Sequence, residues 1–180
     1  MAERTAPVEL LLAYAAGGLD ESMSLVVATH LTLSPESRAR VAGVEALGGA
    51  LVEENEPAEL SSGALDAVLA RLDEEEAPAP RREAPRDGHI LPAPLRGYVG
   101  PDIGALRWKK LIPGVQEAEF SIGGGGRARL MRIENGVAVP KHSHHGNEAT
   151  LVLEGAYRDA TGFYDRGALQ MADPSLDHQP

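Results

Sequence analysis

The stretch that decides the reading of this chain is GVAVPKHSHHGNEATLVLEG, Gly136–Gly155, which holds three of the six histidines and a glutamate ahead of an apolar run. On extended backbone, side chains two residues apart point the same way, so His142 and His144 share one face. Glu148 lies four residues beyond His144 and can fold back across a turn at His145-Gly146. Two imidazoles and a carboxylate on one face suit a divalent transition metal; zinc, iron, manganese and nickel all accept such donors. A fourth ligand is wanted, and His178 in PSLDHQP is the histidine left in this half of the chain. The alternative is a solvated polar loop leading into a strand. His89 falls in a proline-rich stretch and is not expected to be a ligand.

The surroundings of the cluster are those of an antiparallel β region. LRWKKLI, VQEAEFSI, RARLMRIE, ATLVLEGAYRD and ALQMAD read as strands, separated by turn signals at Pro113-Gly114, Gly123–Gly126, Glu134–Gly136 and Asp165–Gly167. Regular spacing of short strands predicts a barrel or sandwich. The four-glycine run is followed by neither Lys-Ser/Thr nor a helix pattern, so it is read as a hairpin turn and not as a phosphate loop.

Residues 1–76 have a different character. Four helices are expected, in PVELLLAYAAGG, DESMSLVVATHLTL, SPESRARVAGVEALGGALVEEN and SSGALDAVLARLDEEE. Asp20 and Ser34 are placed as N-caps and Pro35 at a first helical position. Met23, Val26, Val27, His30 and Leu33 form the expected apolar stripe of the second helix, and Leu65, Val68, Leu69 and Leu72 that of the fourth. Between the halves, APAPRREAPRDGHILPAP (77–94) is read as a linker, because repeated prolines disfavour helix. The fold class expected is thus α + β and multidomain, with a helical domain at 1–76, a linker at 77–94 and a β domain at 95–180.

Composition narrows the functions. Hydrophobic residues make up 43 % of 180, enough for a packed core, and with aromatics at 4 % that core must rest on aliphatic side chains. There is no cysteine, so disulfides, thiolate metal sites and thiol switches are excluded. No apolar run reaches the roughly 20 residues of a membrane span, and MAERTAPVEL lacks signal-peptide features, so a cytoplasmic protein is expected. Residues 1–76 hold 15 acidic side chains against 4 basic, a net charge of −11, while 77–180 hold 12 against 13. Such a field disfavours direct nucleic-acid binding and favours a basic partner.

The spacing Gly136-x5-His142-x-His144-x3-Glu148-x6-Gly155 resembles, at every fixed position, the first signature motif of the cupin superfamily. GALQMADPSLDH is similar to a degenerate second motif. The resemblance implies a small β-barrel holding a metal through His142, His144, Glu148 and His178, zinc being the first choice, with His145 in a spacer position as a neighbour and not a ligand. A cupin barrel continues past its second-motif histidine, whereas this sequence ends two residues after His178, so a truncated chain or an open barrel is expected.

A second resemblance covers the order of both halves. LLLAYAAGGLDESMSLVVATHLTLSPESRARVAGVEALGGALVEE, followed by YVG, LRWKKL and GV, resembles the anti-sigma factors of the ChrR family. The family implies a four-helix domain that wraps an extracytoplasmic-function (ECF) sigma factor, with a cupin domain needed for release after singlet oxygen or related oxidative stress. Family members carry a zinc site there, built from an N-terminal His and His-x3-Cys-x2-Cys. Here His30 keeps its place, while Ser34, Ser37 and Thr5 stand at the other positions. Serine hydroxyls stay protonated at neutral pH and bind zinc poorly, so no zinc is expected in the first domain, and His30 is expected to be a packed core residue. The function expected is that of a non-enzymatic anti-sigma factor with a metal-binding cupin as sensor or structural module. The runner-up is a cupin dioxygenase or hydrolase with a helical dimerisation domain.

Overall fold

A computed structural model describes residues 6–72, 91–123, 126–139 and 148–172. The four expected helices are present as α1 (Val8–Ala15), α2 (Glu21–Leu33), α3 (Pro35–Glu53) and α4 (Ala64–Leu72). Local chemistry sets their starts. The Asp20 carboxylate accepts from the Met23 N–H at 2.8 Å, and the Ser34 hydroxyl accepts from the Ser37 N–H at 3.2 Å. Each thereby satisfies one of the N–H groups that a helix start leaves without an intrahelical partner.

A fifth helix, α5 (Ala93–Val99), begins inside the stretch read as linker. The prolines taken to disfavour helix are Pro92 at its N-cap and Pro94 in its first turn, where a missing N–H costs nothing. A single 3-10 turn follows at Ile103–Ala105.

The β region contains β1 (Lys109–Ile112), β2 (Val115–Ser121), β3 (Arg127–Ile133), β4 (Glu148–Leu151), β5 (Ala156–Arg158), β6 (Phe163–Asp165) and β7 (Leu169–Ala172). Among the described residues they form three antiparallel groups, β1-β2-β3, β4-β7 and β5-β6. One strand expectation needs correction, and one strand had no counterpart in the sequence reading. ATLVLEGAYRD is not one strand, because residues 152–155 turn the chain, with Gly155 at φ +74°, and split it into β4 and β5. The pairing partner of β5 is β6, which lies in the polar stretch around Phe163 and has too little alternation to stand out.

Two apolar cores meet at α2. One joins Ala6, Leu11, Val27 and Val41 to Leu169 of β7. The other joins Leu25 to Leu91 and Leu95 beside α5 and to Ile122 and Leu130 at β2 and β3. The expected single stripe on α2 is therefore corrected: Leu25, Val27, Thr29 and His30 are its buried residues, spread around the helix because both cores press on it. A helix enclosed on most sides does not show the amphipathic pattern of a surface helix.

Candidate functional site

Of the proposed metal ligands, Glu148 lies among the described residues, while His142, His144 and His178 lie outside them, as do His145, His89 and Thr5. Glu148 opens β4 and pairs with Ala172 of β7. Its carboxylate accepts from Arg129 Nη2 on β3, at 3.2 Å to Oε2 and 3.4 Å to Oε1, and from the Thr150 hydroxyl at 3.3 Å. The Arg129 guanidinium and the Thr150 hydroxyl thus fix where this carboxylate sits on the face of β4. Among the described residues no three potential donors come together.

Behind this ladder lies a polar network that sequence reasoning missed. Gln170, buried on β7, accepts from the Tyr157 hydroxyl at 2.5 Å and donates to Asp159 at 2.7 Å and to the Thr161 hydroxyl at 2.8 Å. Burial, with the nearby charges of Asp159 and Glu148, pushes the Tyr157 phenol well above its ordinary range, so it stays a donor. Burial also raises Asp159, but hydrogen bonds from Thr161, Gln170 and the backbone outweigh it and hold this carboxyl below its ordinary range. The signal that could have found it is Asp159-x-Thr161, an Asx-turn pattern in which the Thr161 N–H donates to Asp159 at 2.8 Å.

At the end of α2, His30 is fully enclosed. Its Nδ1 lies 2.9 Å from the Gly167 carbonyl oxygen and its Nε2 2.7 Å from the Ser37 hydroxyl. The carbonyl can only accept, so Nδ1 carries the proton and Nε2 accepts from Ser37. Ser37 in turn accepts from the Ser34 hydroxyl at 3.1 Å. Both ring nitrogens are thus occupied. Burial lowers the His30 pKa from its ordinary 6.5, opposed in part by the bond to Gly167. The residues at this place do not fit a structural zinc: the hydroxyls are poor donors, and the imidazole has no lone pair to spare.

The surface of the helical region is the other candidate. Only Ser37 and Val41 of α3 are buried, and no residue of α4 is. Past Val41, Leu47, Leu51 and Val52 are 63 %, 58 % and 70 % exposed. With Val44, Leu47 and Leu51 recur at helical spacing and line a groove against Ala15 and Ala16 at the end of α1. The α4 stripe of Leu65, Val68, Leu69 and Leu72 is exposed along its whole length. Two unburied apolar helix faces in the acidic half of a chain form a surface of the kind that binds another protein.

Residues 98–180 match the family described as the ChrR Cupin-like domain. The chain is 50 % identical over 173 residues to the anti-sigma-E factor ChrR of Cereibacter sphaeroides, covering 95 % of this chain and 79 % of that protein. The crystal structure of Rhodobacter sphaeroides SigE in complex with the anti-sigma ChrR matches with a TM-score of 0.84 at 44 % identity, covering 100 % of this chain and 92 % of that one. These relatives are of the anti-sigma class and not of the enzyme class weighed beside it. With a helical region that leaves apolar faces unburied, joined to a cupin-like β region, the chain belongs to the ChrR family of anti-sigma factors.

Proposed function

We propose that this protein sequesters an ECF sigma factor in the cytoplasm through its helical region, 1–76, and that the cupin-like region, 95–180, governs that binding in response to stress. The observation that carries the reading is the pair of exposed apolar faces on α3 and α4, set in a segment of net charge −11. Burial of such faces supplies affinity, and the acidic surround steers a basic partner and repels nucleic acid.

In the cupin-like region, His142, His144, Glu148 and His178 would hold one divalent metal, zinc by first choice. The support is the donor chemistry, together with a Glu148 carboxylate oriented by Arg129 and Thr150. The helical region works without zinc, since His30, Ser37 and Ser34 complete each other's hydrogen bonds.

The test is co-purification of the intact chain with its host's ECF sigma factors, with metal analysis of the same sample. One sigma factor should be retained at about one per chain, with no more than one metal per chain. Treatment with a chelator should leave the His30–Ser37 arrangement unchanged. Failure to retain any sigma factor, or two zinc ions per chain, would overturn the reading.

A further inference from the structure

We propose that His30 is a docking latch that fastens the start of α3 to the β6–β7 turn, so that changes in the cupin-like region reach the partner-binding helices through α2. This deepens the sigma-factor reading above and rests on it for its consequence, though not for the latch itself.

The geometry is a single chain of hydrogen bonds between regions more than a hundred residues apart. It runs from the Ser34 hydroxyl to Ser37, from Ser37 to His30 Nε2, and from His30 Nδ1 to the carbonyl of Gly167. Its central members, His30 and Ser37, are both 0 % exposed. Water therefore cannot replace a broken bond, and each group left behind would be unsatisfied.

Backbone form makes Gly167 specific to this role. It sits at φ +90°, and a Cβ there would lie 3.3 Å from Leu33 Cβ. The turn can approach α2 closely enough to present its carbonyl only because no side chain intervenes. The turn is rigid on its own side, since Gly167 N–H donates to Val152 O and Ala168 N–H to Asp165 O, each at 2.8 Å.

The two ends of the latch are the two places where coupling matters. Gly167 adjoins β7, which pairs with β4 from Leu151↔Leu169 to Glu148↔Ala172, so a shift at Glu148 runs along a short ladder to the turn. Ser34 and Ser37 set the first turn of α3, whose far half carries Leu47 and Leu51. The start of α2 is fastened separately. The Tyr98 hydroxyl donates to Glu21 at 2.7 Å, and a methyl group at Gly123 would collide with the Glu21 carboxylate, or at Gly126 with the Ser22 hydroxyl. Held at both ends, α2 moves with the cupin-like region, and the latch passes that movement to α3.

The test uses the full chain. The Ser37→Ala variant removes the donor to Nε2 with little change of shape, and Ser37→Thr keeps it. Hydrogen exchange at the Val152, Gly167 and Ala168 amides should accelerate about tenfold or more in Ser37→Ala and return toward wild type in Ser37→Thr. Nitrogen NMR should find His30 protonated at Nδ1 in the wild-type chain. Exchange that rises only in the first turn of α3, or a proton on Nε2, would overturn the latch.

For the coupling, Glu148→Gln is placed in the wild-type and Ser37→Ala backgrounds and the Kd for the co-purified sigma factor is measured. A change of fivefold or more in the first background and less than twofold in the second is expected. Equal changes in both, or none in either, would refute transmission through His30. If the wild-type chain binds no sigma factor, the functional reading fails, and the exchange and NMR measurements still decide the latch.

Discussion

Truncating Leu47 and Leu51 together to alanine should weaken partner binding while leaving the fold intact. Both side chains are about three-fifths exposed. Complete burial of a leucine contributes about 1.5–3 kcal/mol relative to exposure, so covering the exposed part contributes about 1–2 kcal/mol each. Alanine keeps the Cβ, and the pair should lose about 2–3 kcal/mol of binding, or about 30- to 150-fold in Kd. The cost to the free protein is expected to stay within about 0.5 kcal/mol for each substitution, as at other exposed positions. The assay is calorimetric titration of the double variant with the sigma factor, beside a thermal melt of the free chain. A Kd within threefold of wild type would remove this face from the interface. A large fall in Tm would show the two leucines to be packed inside the fold, against their exposure.

Three further outcomes follow from the charges and the donors. Because burial lowers the pKa of His30 from 6.5, the unfolded chain takes up a proton first as pH falls. Stability should therefore decline as pH drops below 6.5, as urea melts across pH 5–8 would show, and a His30→Gln variant should lack that component. The net charge of −11 on residues 1–76 predicts an association rate constant for the sigma factor that falls as salt shortens the Debye length to about 8 Å and below; stopped-flow rates insensitive to salt would leave the acidic surface a solubility feature. Metal analysis should find the divalent ion lost in His142→Ala and His144→Ala but kept in His145→Ala and His89→Ala, and retention in His144→Ala would refute the spacing argument.

The helix starts were legible in the sequence, because caps are local chemistry. Asp20 and Ser34 reach N–H groups three residues ahead, and such short-range signals survive in any fold that keeps the helix. The strands bounded by strong turn signals, such as β2 and β3, were legible for the same reason. The spacing of Gly136, His142, His144, Glu148 and Gly155 pointed to the cupin-like region, and the helical stretch to the anti-sigma family.

Three features came from tertiary structure alone. Helix α5 grows from prolines that are harmless only in a first turn, and its apolar contact, Leu95, is met by Leu25 and Leu130 from distant parts of the chain. The short β6 exists because it pairs with β5, which no pattern within three residues can announce. The sequence also left open what replaces the missing thiolates. Serines at 34 and 37 read there as a helix cap and a lost zinc site. That one imidazole nitrogen of His30 accepts a hydrogen bond from Ser37, while the other donates one to Gly167, depends on a carbonyl 137 residues away. Side-chain periodicity says which face of a helix is apolar; only packing decides which distant backbone group meets it.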